Sequence, residues 1–295
     1  MTCAIGLDIG GTKIAAAIVD QNGNLLNRTE LPSDVTDKEA MFTQVVACIE
    51  KTMAKSTISW DEINGIGVGV PGKVDREAGI AIYQHNLPWG NFPLTQRLQN
   101  YFQIERVMVD NDVYMAAYSE WQQYGANQAE TFVYITVSTG ISCAIIHNGQ
   151  FLRGSGFAGE VGLFPLIDVT GAYERLENRA SGKAVRAKYG NKTVTTKDIF
   201  MKYHQQEAGY MEPVEQIVQS LAYSAYLVQC MLDPNTFVFG GGVMNHQPFL
   251  LEKIKTAMKQ YVTKEQTHIF DQMFVSKAKG DTGIIGAGLV VFNKK

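Results

Sequence analysis

The amino-acid sequence predicts an α/β protein that consists of two related halves. Residues 4–26 and 131–149 share one pattern: an apolar strand, a turn of small residues, a second apolar strand and an Asn-Gly pair. Asn-Gly beside apolar runs is typical of a β-hairpin. Each stretch is followed by alternating helical and strand-like segments, the pattern of an α/β domain. Repetition on this scale indicates two related domains, which we expect at 1–115 and 116–295.

The composition is that of an ordinary globular protein. Of the 295 residues, 45% are hydrophobic and 19% are charged, and the net charge of −3 offers no basic surface for nucleic acid. The four cysteines form no CxxC pair, which argues against a zinc ribbon or a disulfide framework. No apolar run approaches the roughly 20 residues that span a bilayer. We expect a soluble, cytoplasmic protein without a signal peptide.

Apolar runs bounded by turn residues predict the strands of the first half, and amphipathic periodicity predicts its helices. The expected strands are Cys3–Ile9, Thr12–Val19, Leu25–Glu30, Ile63–Val70, Ala78–Tyr83 and Arg106–Val109. The expected helices are Asp37–Lys55, Leu94–Phe102 and Val113–Tyr124.

The second half opens like the first and then becomes mainly helical. Strands are expected at Thr131–Ser138, Ile141–His147 and Thr236–Phe239. Helices are expected near Tyr173–Tyr189, Thr196–Glu207, Pro213–Leu232, Gln247–Val262 and Thr282–Phe292. The last helix, within 282–293, is expected to pack against the N-terminal domain.

The glycine-rich segment Asp8–Lys13 between the first two strands allows two interpretations. It could be a two-residue hairpin with Gly10-Gly11 at the turn, which is the more common structure for this pattern. It could also be a phosphate-binding loop, because glycines let a ligand approach the backbone and a neighbouring carboxylate can hold magnesium.

Asp112 is the strongest candidate for a catalytic group. It follows a predicted buried strand and opens a helix, the position at which open α/β sheets bind their ligands. Asp110, Asn111 or Asp112 could instead serve only as the helix N-cap. The residues themselves leave both interpretations open, and one residue could cap while another faces a ligand.

Other candidate residues lie in the second half. Ser138-Thr139-Gly140 repeats the position of the first loop and could clamp a polyphosphate, or be an ordinary hairpin turn. Gly240-Gly241-Gly242 could let a nucleoside lie against the backbone, or be a close-packed strand–helix turn. Glu160 and Glu177 could accept hydrogen bonds from sugar hydroxyls. The five histidines, His85 among them, share no metal-ligand spacing.

Several of these motifs, in this order, resemble those of the ROK family of sugar kinases. That family has the actin-like, ribonuclease-H-like ATPase fold, with two domains closing over sugar and ATP, and its members are often dimers. The resemblance covers the whole chain. The matching segments are Asp8–Lys13, Gly69–Asp75, Asn86–Trp89, Asn111-Asp112, Ser138–Gly140, Ala158–Gly162, Leu176–Gly182 and Gly240–Val243.

The resemblance implies that Asp112 is the general base that takes the proton from the sugar 6-hydroxyl. The residues that it places at the sugar are Gly72, Asn86, Asn111, Glu160 and Glu177. The residues that it places at ATP are Gly10, Gly11, Thr12, Lys13, Ser138, Thr139, Gly140, Gly241 and Gly242. Asp8 is expected to position Mg²⁺ through water, and the protein is expected to be a homodimer.

Two features depart from the family pattern. Many members carry a Gly-His pair followed by a cysteine-rich zinc loop, whereas here Leu163 follows Gly162 and no cysteine lies between Gly162 and Glu177. We therefore expect no zinc site. Ser138 and Ser142 also stand where the family usually has glycine, and their side chains could lower activity or shift the nucleotide.

The expected function is ATP-dependent phosphorylation of a hexose or N-acyl-hexosamine at the 6-hydroxyl, with glucose as the first candidate substrate. N-acetylmannosamine and a β-glucoside are the alternatives. A sugar-binding regulator without catalytic activity is a further alternative. A DNA-binding repressor is not expected, because only seven residues precede Asp8 and leave no room for a helix-turn-helix.

Overall fold

The structure, a computed structural model, describes residues 2–84, 86–125, 127, 129–167, 171–190, 194–278 and 280–293. The chain divides into two compact units, Met1–Tyr124 with Asp281–Lys295, and Gly125–Gly280. The expected boundary after residue 115 would cut a continuous helix, and the division instead follows the end of that helix. Residues 281–293 belong to the first unit.

Among the described residues, the first unit contains a five-stranded sheet, a three-stranded antiparallel sheet, three α-helices and a short 3-10 helix (Trp60–Glu62) before the chain leaves it. In chain order these are β1 (Cys3–Ile9), β2 (Lys13–Asp20), β3 (Leu25–Pro32), α1 (Lys38–Ala54), β4 (Ile63–Val70), β5 (Lys73–Asp75), β6 (Ile80–Tyr83), β7 (Gly90–Phe92), α2 (Leu94–Phe102), β8 (Val107–Asn111) and α3 (Asp112–Tyr124). The large sheet has the order β3-β2-β1-β4-β8. Strands β1, β4 and β8 run parallel, and the remaining pairs are antiparallel.

The second unit contains a five-stranded sheet and a two-stranded sheet. Its elements are β9 (Thr131–Val137), β10 (Ile141–His147), β11 (Gln150–Phe151), β12 (Pro165–Ile167), β13 (Tyr173–Arg175), α4 (Leu176–Ala180), α5 (Gly182–Tyr189), α6 (Thr196–His204), α7 (Met211–Leu232), β14 (Thr236–Gly240), α8 (Gly241–His246), α9 (Phe249–Met258) and β15 (Met273–Val275). The chain then re-enters the first unit as α10 (Thr282–Val290).

The internal repeat is confirmed by the sheet topology. The second large sheet has the order β11-β10-β9-β14-β15, which is the strand order of the first sheet. In both, three antiparallel strands are followed by two strands that pair in parallel. Parallel pairing requires a crossover connection, and helices supply it in each unit. The predicted duplicated α/β fold is therefore correct.

Helix α10 packs unusually closely on the first unit because glycines line its contacts. A side chain at Gly6 of β1 or Gly67 of β4 would overlap carbonyl oxygens of α10, and one at Gly286 would overlap the Met115 carbonyl oxygen of α3. The helix is apolar around its circumference, and all its residues except Gly283 are buried. Such a helix is stable only when it is enclosed by other elements.

Two helices predicted in the second half are interrupted. The segment 173–189 consists of β13, α4 and α5, because Ser181 is extended and its hydroxyl caps α5 by accepting the Ala184 amide at 3.1 Å. The segment 247–262 contains only α9, which follows α8 after a break at Pro248. Proline has no amide hydrogen to donate and is therefore tolerated at the start of a helix rather than within one.

The strands that the sequence did not predict are all short. They are β5, β7, β11, β12, β13 and β15, each of two or three residues. Runs of this length carry too few alternating residues for a periodic signal. Their conformation comes from pairing with a partner strand, as when β15 lies parallel to β14. Among the residues described here, no helix is long and apolar enough to cross a membrane.

We expect Gly286→Ala to destabilise the first unit, although alanine is the better helix former. The added methyl group would overlap the Met115 carbonyl oxygen and push α10 away from α3. Overpacking of this kind costs about 1–3 kcal/mol, which calorimetry would detect as a lower melting temperature. Gly90→Ala is the control, because no atom lies within 4 Å of its added methyl group. Equal melting temperatures for the two variants would contradict this account.

Candidate active site

The parallel strands of the first unit bring the candidate acidic residues to one edge of the sheet. The register places Asp8 of β1 beside Gly69 of β4, and Gly69 beside Asp110 of β8. Asp112 follows as the first residue of α3, and its Cα lies 3.3 Å from the position that a Gly69 Cβ would occupy. The small residue at Gly69 therefore lets the start of α3 lie close against the sheet.

The two carboxyl groups at this edge are harder to ionise than ordinary aspartates. Burial raises the pKa of Asp112 to about 6, against two backbone hydrogen bonds that act in the opposite direction. Burial also raises the pKa of Asp8 to about 7, and the negative charge of Asp112 adds to this rise. The positive charges of Lys13 and Arg28 partly offset it. Carboxyl groups with pKa values near neutrality are candidates for proton transfer and cation binding.

Asn111 and Asp112 both bond to the start of α3, so the capping hypothesis holds. The Val113 amide donates to Asn111 Oδ1 at 2.9 Å and to Asp112 Oδ1 at 3.0 Å. Asn111 Nδ2 donates to the Gly72 carbonyl at 3.0 Å. Gly72 has a φ of +83°, in the left-handed region that favours glycine. Asn111 thus joins the start of α3 to the Gly72 turn.

The N-terminal loop is a two-residue hairpin turn between the antiparallel strands β1 and β2, but it is shifted by one residue from the expected Gly10-Gly11. The Gly10 amide donates to the Lys13 carbonyl at 2.9 Å, which leaves Gly11 and Thr12 at the centre of the turn. Neither glycine has a positive φ. Gly11 is required instead for close approach, because a Cβ there would lie 2.7 Å from the Asn86 Cβ. The loop therefore lies against Asn86, another predicted site residue.

Ser33 is a structural partner of this loop that the sequence did not indicate. Its hydroxyl donates to the Gly10 carbonyl at 2.6 Å, and its amide donates to the Thr12 carbonyl at 3.1 Å. It lies just beyond β3, far from the loop in sequence and outside every motif. Lys13, the last loop residue, pairs through Nζ with Glu30 Oε2 at 3.0 Å.

In the second unit, the predicted second loop and the glycine turn lie together. The Ser138 amide donates to the Gly140 carbonyl at 2.9 Å, closing the turn between β9 and β10. A Cβ on Gly241 would lie 2.6 Å from Thr136 Oγ1, and its φ of +83° favours glycine. Gly242 has no atom within 4 Å of an added Cβ, so its side faces open space. Backbone groups at this edge are thus open to a ligand.

Glu177 lies beside the second loop. Its Oε2 is 3.7 Å from the position of a Gly140 Cβ, and its Cβ is 3.3 Å from that of Gly162. Glu160 is exposed, and its charge adds to the burial that raises the pKa of the Cys143 thiol. The second unit therefore gathers Thr139, Gly140 and Glu177, with Glu160 on the neighbouring turn and an exposed Leu163 after it.

The described part of the chain contains no group of three or more His, Cys, Asp or Glu side chains arranged to hold a metal ion. The described histidines instead make hydrogen bonds, ion pairs or ring contacts with neighbouring protein groups; they are His147, His204, His246 and His268. His85, next to Asn86 in the sequence, lies outside the described residues.

Replacing Asp112 by asparagine is expected to stabilise the fold at neutral pH. The folded-state pKa is about 6, whereas an unfolded aspartate has a pKa of about 4. The ionised carboxylate therefore costs stability, and the cost develops as the pH rises from about 4 to 6. The melting temperature of Asp112→Asn should exceed that of the wild type by a few degrees at pH 8. The difference should shrink toward pH 4.

Asp34→Asn is the control for this comparison. Hydrogen bonds from the side chain and backbone of Thr36 lower the pKa of Asp34, so its ionised carboxylate stabilises the fold above the unfolded pKa of about 4. The melting temperature of this variant should therefore lie below that of the wild type by a difference that stays constant above about pH 5. Calorimetry across pH 4–8 measures both differences. The same trend in the two variants would show that the raised pKa of Asp112 is wrong.

Comparison with known proteins identifies the family of this chain. The model of the ROK family matches residues 4–294. The chain is 28% identical to a glucokinase of Halalkalibacterium halodurans, over 97% of this chain and 94% of the relative. It is 25% identical to an N-acetylmannosamine kinase of Escherichia coli O139:H28, over 99% of each chain.

The fold is also similar to that of a solved structure. A ROK family glucokinase from Streptomyces griseus, in complex with glucose and AMPPNP, superposes with a TM-score of 0.81. The two proteins are 23% identical, and the match covers 98% of each chain. This likeness supports the fold, and the family model spans nearly the whole sequence. The protein is therefore a member of the ROK family.

Proposed function

We propose that this protein transfers the γ-phosphoryl group of ATP to the 6-hydroxyl of a hexose or N-acyl-hexosamine, with glucose as the first candidate. The observation that carries the proposal is Asp112, a carboxyl group with a pKa of about 6 at the carboxyl edge of three parallel strands. The relatives named glucokinase and N-acetylmannosamine kinase support the substrate class. N-acetylmannosamine is the second candidate substrate, and a β-glucoside is the third.

In this proposal Asp112 is the general base. A pKa of about 6 leaves the carboxylate mostly ionised at pH 7 and makes it more basic than an ordinary aspartate. It accepts the proton of the sugar 6-hydroxyl while the hydroxyl oxygen attacks the γ-phosphorus and ADP leaves. The cap that Asn111 and Asp112 form on α3 holds the base in one orientation.

The remaining site residues bind the two substrates. Asn86 and Asn111, with the Gly72 turn, hold the sugar in the first unit, and Glu160 and Glu177 accept hydrogen bonds from its hydroxyls. The phosphates of ATP are bound by Gly10, Gly11, Thr12, Lys13, Ser138, Thr139 and Gly140. The open backbone at Gly241 and Gly242 accepts the nucleoside. These assignments are supported by the proximity of the proposed residues to one another within the first unit and within the second unit.

Asp8 suits a magnesium ion that accompanies the nucleotide. Its carboxyl group lies close enough to Asp112 for the two negative charges to oppose one another, which a cation would relieve. Magnesium prefers oxygen ligands and keeps several waters, so one carboxylate and the nucleotide phosphates suffice to hold it. When bound, the ion neutralises charge on the transferred phosphoryl group. We propose that Asp8 positions it through water.

We also propose that the protein works as a homodimer in the cytoplasm. Met231 and Tyr223 are exposed on α7 of the second unit, with 72% and 37% of their surface accessible, and such residues suit contact with a second copy. The cysteines are free thiols, and Cys3, Cys48 and Cys143 are buried, which is compatible with a reducing compartment.

An ADP-release assay with MgATP and a panel of sugars tests this function. The panel is glucose, N-acetylmannosamine, N-acetylglucosamine, mannose, fructose and cellobiose, and turnover is expected on at least one of them. Asp112→Asn should keep sugar binding and lose about 10²-fold or more in kcat. Asp34→Asn is the control and should retain wild-type turnover.

Two outcomes would contradict the proposal. Near-normal kcat in Asp112→Asn would remove Asp112 as the base. The absence of ADP release with every sugar of the panel, in a protein that still binds a sugar as measured by calorimetry, would support the alternative of a sugar-binding protein without catalytic activity. Ser138 and Ser142 would then be replaced by glycine to test whether their side chains suppress activity.

The pH dependence of kcat/KM provides a separate test of the base. Asp112 accepts a proton only when it is ionised, so the rate should rise with pH and level off above about 7. The acidic limb of the profile should have an apparent pKa between about 6 and 7, the pKa values of Asp112 and Asp8. Because the two carboxyl groups interact, this apparent pKa belongs to the pair rather than to one residue. A rate that is still at its plateau at pH 5 would contradict the assignment.

A further inference from the structure

Three consecutive residues at the start of α10 contact three different elements of the first unit. Arg28 of β3 donates through Nε to Asp281 Oδ1 at 2.8 Å. Thr282 Oγ1 donates to Glu120 Oε1 of α3 at 3.4 Å. The position of a Gly283 Cβ lies 3.3 Å from both Cγ and Oδ2 of Asp8. The backbone at Gly283 therefore packs directly against the carboxyl group that we assign to magnesium.

The contact at Asp281 also extends to the N-terminal loop. The Arg28 guanidinium donates through Nη2 to Glu30 Oε2 at 2.7 Å, and Lys13 Nζ bonds to the same oxygen at 3.0 Å. One arginine thus links the start of α10 to the lysine of the proposed phosphate loop. A planar guanidinium that bonds two carboxylates holds both in a defined geometry.

The contact at Thr282 is fully enclosed. Glu120 is completely buried and Thr282 is 4% exposed. A buried carboxylate is retained in a fold only when hydrogen bonds satisfy it. Glu120 lies on α3, the helix that begins with Asp112. The helix that carries the proposed base is therefore joined to the helix that contacts Asp8.

We propose that the segment Asp281–Gly283 is a positioning element for Asp8. The segment holds the Asp8 carboxylate in the position from which this carboxylate binds the magnesium–nucleotide complex. Arg28 and Glu120 act through this segment. The inference rests on the proposed function and deepens it, because it assigns a role in nucleotide binding to residues outside the motifs. The chain re-enters the first unit at Asp281, so the element begins where the second unit ends.

Gly283 makes the proposal testable without disturbing the fold. Alanine is the better helix former, and Gly283 is the one residue of α10 that is not buried. A Cβ at 3.3 Å from the carboxyl group would require Asp8 to move by a few tenths of an ångström. Gly283→Ala should therefore keep or raise the melting temperature while it shifts the carboxylate.

The experiment measures ADP binding to the full chain by calorimetry, once with Mg²⁺ and once with EDTA. In the wild type, Mg²⁺ should strengthen ADP binding. In Gly283→Ala the increase in ADP affinity on adding Mg²⁺ should be about tenfold smaller, which is the effect typical of disturbing the residues that support a metal ligand. ADP affinity in EDTA and sugar affinity should stay unchanged. Asp281→Asn, which weakens the Arg28 contact, should lower the gain in the same direction.

Gly90→Ala is the control for a glycine replaced at an open position of the same unit, and it should keep the full gain. An unchanged gain in Gly283→Ala, or a wild type without any gain, would overturn the inference. An equal loss of ADP binding in EDTA would also overturn it, because the effect would then not involve the metal. A wild type that shows the gain and phosphorylates no sugar would instead refute the proposed function alone.

Discussion

The close packing of α10 against β1, β4 and α3 is the constraint on which the first unit depends. Glycines at Gly6, Gly67 and Gly286 remove the side chains that would separate these backbones. The helix is nearly all apolar, so its burial adds to the hydrophobic stabilisation of this unit. The same packing sets the positions of β1 and α3, and therefore those of Asp8 and Asp112.

The carboxyl groups of Asp8 and Asp112, at the carboxyl ends of the parallel strands, lower the stability of the fold and are suited to proton transfer. Burial raises the pKa of both carboxyl groups above the usual range, and the negative charge of Asp112 raises the pKa of Asp8 further. Raised pKa values are also what a proton acceptor near neutral pH requires. Lys13 and Arg28 reduce the loss of stability without cancelling it.

The sequence was informative wherever a motif is contiguous. The duplicated hairpins, the Asp110–Asp112 strand end and the order of the glycine-rich turns were sufficient to predict the fold, the family and the groups that cluster within each unit. It was misleading where one local pattern fits two structures. Gly10-Gly11 has the composition of the centre of a hairpin turn, but the turn is centred on Gly11 and Thr12, and Gly11 is needed to accommodate Asn86. The helical pattern of 173–189 conceals the break at Ser181.

Sequence by itself determined the order of the elements and the chemical types available for catalysis, because hydrophobic periodicity and turn residues are local properties of the chain. Only the tertiary structure decided which distant residues support them. Ser33 bonds the first loop, Arg28 bridges Glu30 and Asp281, and Gly283 contacts Asp8. These contacts join residues far apart in sequence, and their partners are set by sheet register and helix packing. Sheet register and helix packing leave no periodic pattern and no motif in the sequence at the residues that make these contacts.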